Sequence, residues 1–206
     1  MMDRESLGQE LSRRQLLRTG AVASAASMFS PALSAAIKTG KSDDSLAWMP
    51  AKEVRQLLVS KKVSPVEVTR YFLQRIEKID PLINAYITVD TEGALAQAKS
   101  LEKALMRGEP LGSMFGLPIS IKDLVMTKGL RTTYGSKIYE NNIPEWDEIQ
   151  VERLRAAGAI IIGKTNTPEF GRYPRTRSLV GGETLNPWNA ERISGASSGG
   201  SAAAVA

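Results

Sequence analysis

The stretch Glu148-Ile149-Gln150-Val151-Glu152-Arg153-Leu154-Arg155-Ala156-Ala157-Gly158-Ala159-Ile160-Ile161-Ile162-Gly163 decides the fold class. Glu148 to Ala157 suits a helix, with Asp147 placed as its N-cap and Gly158 just past its last turn, where a left-handed backbone is tolerated. Ala159 to Ile162 is then a short apolar run rich in β-branched residues and closed by glycine, the pattern of a strand buried on both faces. A helix leading directly into such a strand is the repeating unit of an α/β protein.

Working outward, the same alternation recurs. Leu117 to Val125 is a second candidate buried strand, interrupted by Lys122 and Asp123. Thr91 to Arg107 is rich in Ala, Leu, Glu and Lys and predicts a helix capped by Gly108, preceded by an alternating strand at Ala85 to Val89. Ser64-Pro65-Val66-Glu67 forms a capping box with proline at the first helical position. The following Val68, Tyr71, Phe72, Ile76 and Ile79 recur at helical spacing, and Asp80-Pro81 should end that helix. Ala51 to Val59 predicts one further short helix, and Ser201 to Ala206 the start of another. Thr165 to Ile193 carries Pro, Gly, Asn and Arg with little periodicity, which suggests a functional surface or the wall of a site.

The chain of 206 residues is 42% hydrophobic and 24% charged, as expected for a globular protein with one sizeable core. It contains neither cysteine nor histidine, which excludes a Cys nucleophile, a Ser-His-Asp triad, thiolate or imidazole zinc sites and CxxC redox chemistry. The net charge of +5 is spread among alternating acidic and basic residues, so no nucleic-acid partner is expected. Ser12-Arg13-Arg14-Gln15-Leu16-Leu17, a moderately apolar Ala- and Ser-rich run from Ala21 to Leu33, and the small residues Ser34, Ala35 and Ala36 resemble a twin-arginine export signal. The expected organisation is a signal over residues 1–36, a linker over 37–50 and one catalytic-domain portion over 51–206. The expected location is periplasmic or secreted, with the twin-arginine export machinery as a partner.

Three segments stand out together: Gly116-Leu117-Pro118-Ile119-Ser120-Ile121-Lys122-Asp123, then Gly163-Lys164-Thr165-Asn166-Thr167-Pro168-Glu169-Phe170-Gly171, then Asn186-Pro187-Trp188 through Gly195-Ala196-Ser197-Ser198-Gly199-Gly200-Ser201. In this order they resemble the amidase signature family, from about Ser64 to Ala206. The resemblance implies a large mixed β-sheet covered by helices on both faces, incomplete at the C-terminus of this chain. It also implies hydrolysis of carboxylic amides, linear or aryl, by a Ser-Ser-Lys triad with no cofactor and no metal, the partner being a small-molecule amide.

Motif by motif, the resemblance puts the base at Lys122 and the bridging serine, in a cis peptide, at Ser197. Ser198 stands beside it as a catalytic or structural alternative, and Gly171 lies where the backbone approaches the bound amide. A lysine can serve as a base near neutral pH only where its surroundings favour the uncharged form, and an apolar strand supplies such surroundings. Asp123 is read as a structural partner, Asn166 and Glu169 as turn-fixing residues, and Arg172, Arg175 and Arg177 as a basic loop. The sequence departs from the common Pro-Gly-Gly of the family at Ser194-Gly195-Ala196. The attacking serine and the oxyanion-hole amides belong, in this family, about two dozen residues past Ser197, beyond Ala206, so the 206-residue chain alone is expected to be inactive or a non-catalytic remnant. A rival reading is a P-loop, since Gly158 to Thr165 satisfies GxxxxGK[ST]. Its apolar interior and the Asn166-Thr167-Pro168 that follows disfavour a phosphate-cradling turn that opens a helix.

Overall fold

The computed structural model describes residues 44–206, so the signal-like segment lies outside the described residues. Five α-helices and five strands follow one another. They are α1 (Ala51–Val59), α2 (Pro65–Ile83), β1 (Tyr86–Val89), α3 (Thr91–Arg107), β2 (Pro118–Lys122), α4 (Ile149–Ala156), β3 (Ile160–Thr165), β4 (Arg177–Ser178), β5 (Gly182–Glu183) and α5 (Gly199–Val205) among the described residues. The main sheet has the order β1-β3-β2, with β3 parallel to β2 and antiparallel to β1, so the fold is α/β with a mixed sheet.

The central strand β3 is buried at every residue, and each face of the sheet has its own apolar cover. Leu73 of α2 with Ala94 and Ala98 of α3 pack on Ile160 and Ile162, while Val151 of α4 and Leu130 pack on Ile121 and Ile161. A third cluster, including Leu46, Val54, Leu58, Val68 and Phe115, joins α1 and α2 outside the sheet. Just before α1, Leu46 is buried in that cluster.

Local signals act where they were legible. Ser64 Oγ accepts from the Glu67 amide at 3.1 Å and Glu67 Oε2 accepts from the Ser64 amide at 2.8 Å, completing the capping box of α2. Contrary to expectation, α2 continues through Pro81 to Ile83. Proline in the last turn removes a single backbone donor there, and the end is closed by the amide of left-handed Asn84 on the Asp80 carbonyl at 2.7 Å. The Asp80 carboxylate then accepts from the amides of Ala85 and Tyr86, turning the chain into β1. Asp147 is not the N-cap of α4. Glu148 occupies that place, because Asp147 is engaged by Arg155 at 2.9 Å and by the Lys128 amide at 2.7 Å.

β2 ends at Lys122, earlier than the apolar pattern suggests, because the Val125 amide turns back onto the Lys122 carbonyl at 3.0 Å. β3 runs further than expected, through Lys164 and Thr165. A step in the parallel register lies between the pairs Ile119–Ile161 and Ser120–Gly163, so Ile161 and Lys164 stand opposite Ile119 and Ile121, on one face of β2. Lys122 pairs with Thr165 on the other face, toward which α5 brings Ser201, whose hydroxyl lies 2.7 Å from that of Thr165.

α5 starts at Gly199, two residues earlier than expected, and its second residue rests on backbone. A Cβ at Gly200 would lie 2.4 Å from the Asn166 nitrogen and 2.6 Å from the Ala85 oxygen. Gly200→Ala should therefore lower the thermal midpoint further than Ser64→Ala, which removes a cap worth about 1 kcal/mol. A Gly200→Ala protein melting at the wild-type temperature would contradict this packing.

Candidate active site

Lys122 is the last residue of β2, where the sheet ends and the chain turns. Opposite it, the segment Ser194–Ser198 leads into α5, with a cis peptide between Ala196 and Ser197. The Lys122 Nζ lies 2.7 Å from the Ser197 Oγ and 2.9 Å from the Ser198 Oγ. The structure thus brings the lysine together with two serines that the sequence places 75 and 76 residues away.

The turn is held by threonines that the sequence did not single out. Thr176 Oγ1 donates to the Gly195 carbonyl at 2.8 Å and accepts from the Gly199 amide at 3.2 Å. Thr167 Oγ1 donates to the Ser197 carbonyl at 3.1 Å, and Ser194 Oγ donates to the Thr184 carbonyl at 3.0 Å. Thr167, Thr176 and Thr184 are all buried, inside the segment whose lack of periodicity hid them. Their burial would have been the signal, and it is a tertiary property.

Burial pushes the Lys122 amine below its ordinary value. Among the described residues no carboxylate opposes this shift, and the neighbouring Asp123 is engaged elsewhere. Its two oxygens accept from the Thr133 amide at 3.1 and 3.0 Å and from the Thr133 hydroxyl. Burial pushes the Asp123 carboxyl up, against those hydrogen bonds and the Lys164 charge. A neutral Lys122 amine has a lone pair at hydrogen-bond distance from a serine hydroxyl, which is the geometry for taking a proton from it.

Gly171 is brought to the same place. Its backbone is left-handed, with φ of 68°, and a Cβ there would lie 2.7 Å from Leu124 Cδ1 and 3.6 Å from Ser197 Oγ. A larger residue would crowd the bridge between Lys122 and Ser197. Asn166 ties this loop to the β4–β5 hairpin, accepting from the Thr167 amide at 2.9 Å and donating to the Gly181 carbonyl at 3.1 Å. Glu169 is exposed at the start of a 3-10 turn. Arg172, Arg175 and Arg177 are exposed, and Arg175 pairs with Glu183.

Lys164 is fully buried on the opposite side of the sheet. Its ammonium donates to the Val125 carbonyl, to Thr127 Oγ1 at 2.9 Å and to Thr132 Oγ1 at 2.9 Å. The Gly158–Thr165 segment leads into strand rather than forming a turn that opens a helix, and the lysine's three donors already have acceptors, so the P-loop geometry is not formed. A cleft of about 640 Å³ lies elsewhere, between α2, the 185–190 segment and the end of α5. It contains none of Lys122, Ser197 and Gly171, and its lining supplies only Arg75 and Asp80 as charged side chains. The Lys122–Ser197 contact therefore lies outside this cleft.

The profile of the family described as Amidase matches residues 67–206. The chain is 46% identical over 155 residues to a glutamyl-tRNA(Gln) amidotransferase subunit from Thermosynechococcus vestitus, covering 75% of this chain and 32% of that protein. Among solved structures, it is similar to a bacterial aryl acylamidase belonging to the amidase signature enzymes, with a TM-score of 0.72 and 32% identity over 76% of this chain and 33% of that one. It is also similar to the peptide amidase from Stenotrophomonas maltophilia, with a TM-score of 0.74 and 28% identity over 78% of this chain and 34% of that one. The chain thus spans about a third of the length of the curated relatives it matches.

The buried lysine provides a measurable signature. Burial lowers Lys164 to about 8, against the charges of Asp123, Glu148 and Asp147, which favour its protonated form. Folded protein therefore binds this proton more weakly than unfolded protein does, and stability from this group rises with pH between about 8 and 10.5, remaining flat outside that window. Urea unfolding near the two ends of the window should show wild type gaining on Lys164→Met as pH rises. A constant or shrinking difference would contradict the effect of burial on this lysine.

Proposed function

The chain belongs to the amidase signature family, and from that premise we propose that it supplies the base and the bridging serine of a Ser-cisSer-Lys amide hydrolase. The observation that carries this reading is the 2.7 Å contact between Lys122 Nζ, an amine depressed by burial, and Ser197 Oγ. Neutral Lys122 takes the proton of Ser197, and Ser197 takes the proton of the attacking serine as its oxygen adds to the amide carbonyl. The relay then reverses: Ser197 protonates the leaving amine, Lys122 reprotonates Ser197, and the C–N bond breaks to leave an acyl ester. Water, deprotonated by the same relay, hydrolyses that ester and restores the starting state. Ser197 is assigned as the bridge because it matches the family motif and its hydroxyl lies 2.7 Å from the Lys122 amine, and Ser198, at 2.9 Å, is assigned to shaping the turn and accepting from Lys122.

In this reading the attacking serine and the oxyanion donors come from sequence beyond Ala206, and Gly171 gives the substrate amide access to the bridge. A second reading follows from the similarity to the amidotransferase subunit, in which the same relay would serve transfer within a larger assembly. The twin-arginine-like start at Arg13-Arg14 favours an exported hydrolase over that role.

Release of amine from simple amides tests the relay. The polypeptide Met1–Ala206 alone should give no turnover. Protein from a reading frame that continues into a Gly- and Ser-rich segment should turn over, with Lys122→Ala lowering kcat on the order of a thousandfold. Turnover by Met1–Ala206 itself, or full activity in Lys122→Ala, would overturn the assignment. Export is tested separately, by fractionating cells that express the tagged protein: Arg13→Lys with Arg14→Lys should retain it in the cytoplasm, and unchanged export would contradict the signal.

A further inference from the structure

Lys164 is a fully buried cation that the relay does not use. It pairs with Ile121 in the register of β2 and β3, on the face that carries the Ile121 and Ile161 cluster. An apolar side chain would fill such a place without the cost of burying a charge. All three donors of Lys164 instead go to the segment that begins just after Lys122: to the Val125 carbonyl, Thr127 Oγ1 and Thr132 Oγ1. Thr127 Oγ1 donates to the same Val125 carbonyl at 3.1 Å. Val125 is also the residue whose amide closes the turn on the Lys122 carbonyl at 3.0 Å. The ammonium and the base are therefore linked through one residue.

Residues 123–136 contain no helix and no strand, so their shape depends on side-chain anchors. Asp123 is a second buried charge in this segment, and its carboxylate accepts from the amide and hydroxyl of Thr133. Thr132 and Thr133 are consecutive, so the pair joins the cation on one side to the carboxylate on the other. Thr127, Thr132 and Thr133 are all fully buried. The charges of Asp123, Glu148 and Asp147 favour the protonated form of Lys164. The outer part of the loop is held separately by the start of α4, where Glu148 accepts from the Met126 amide at 2.8 Å and Asp147 from the Lys128 amide at 2.7 Å. Loss of the Lys164 ammonium thus loosens the turn beside Lys122 and leaves the outer loop anchored.

We propose that Lys164 is a positioning residue for the base: joined to Asp123 through Thr132 and Thr133, its ammonium fixes the turn that sets the reach of Lys122 toward Ser197 and Ser198. This rests on the amide-hydrolase reading and gives a part in it to a lysine on the far side of the sheet. With the turn fixed, the Lys122 amine stays 2.7 and 2.9 Å from the two hydroxyls and partly withdrawn from water. With the turn loosened, the amine extends into water and regains affinity for its proton.

The test uses the catalytically complete protein with propionamide and benzamide as substrates. Turnover is followed against pH in wild type, Lys164→Met, Thr132→Val and Thr132→Ser, and the Lys122 amine is titrated in each by heteronuclear NMR. Lys164→Met and Thr132→Val should lower kcat on the order of tenfold with KM within about twofold, as a small misplacement of a catalytic group implies. Both should move the Lys122 midpoint, and the rise of activity with pH, upward toward 10.5. Thr132→Ser keeps the hydroxyl and should retain the wild-type profile. Wild-type midpoints and kcat in folded Lys164→Met and Thr132→Val, with Lys122→Ala inactive, overturn the positioning role and leave the hydrolase reading standing. A shift in Lys164→Met with none in Thr132→Val reports the lost charge alone and also overturns it. Should Lys164→Met not fold, the Thr132 pair decides: a shift in the valine variant that is absent from the serine variant supports the role, and equal profiles overturn it. Full turnover in Lys122→Ala overturns the hydrolase reading and the positioning role with it.

Discussion

An amine at the end of a strand, partly withdrawn from water and given hydroxyls rather than a carboxylate as neighbours, is the constraint on which the rest of this structure depends. Lys122 could be kept charged by any acidic group nearby, and Asp123 is adjacent in sequence. The chain avoids that outcome by turning at Lys122, so that Asp123 is buried against Thr133 while Lys122 faces Ser197 and Ser198. The two residues share a backbone and have opposite environments. This separation leaves the Lys122 amine among hydroxyls while the Asp123 carboxylate is held by Thr133.

The second buried lysine makes the same point from the other side. Lys164 is deeper than Lys122, yet its three acceptors and nearby carboxylates hold it as a structural cation beneath the sheet. It gathers Val125, Thr127 and Thr132, and so closes the loop that begins immediately after Lys122. Depth of burial and hydroxyl neighbours therefore do not separate the two lysines. What separates them is that carboxylates favour the charged form of Lys164, whereas among the described residues none does so for Lys122.

Much of the scaffold was legible because its signals are local. Ser64 and Glu67 lie within one helical turn of each other, Gly108 sits directly after the helix it caps, and Ile160 to Ile162 are apolar without interruption. The misreadings share a cause in distant partners. Asp147 has the right residue type for an N-cap, but Arg155 and Lys128 engage it first. The strand expected to stop at Ile162 runs on through Lys164 and Thr165, because acceptors from residues 125 to 132 receive the buried ammonium. Of the site, composition alone excluded histidine and cysteine chemistry, and the Lys122–Ser197 pairing came from the order of motifs rather than from any spacing. The threonines fixing the turn join segments separated in sequence, and only the folded chain shows them.

The proton affinity of Lys122 decides between a base and a structural cation at this site. Heteronuclear NMR titration of its side-chain amine, assigned by comparison with Lys122→Arg, measures that directly in the folded chain. The structure predicts a midpoint below the ordinary lysine value of 10.5, and a displacement of that midpoint in Ser197→Ala, where a hydroxyl neighbour is lost. A midpoint at or above 10.5 would mean that Lys122 is an ordinary ammonium, and that the contact with Ser197 is structural rather than a base poised on its bridge.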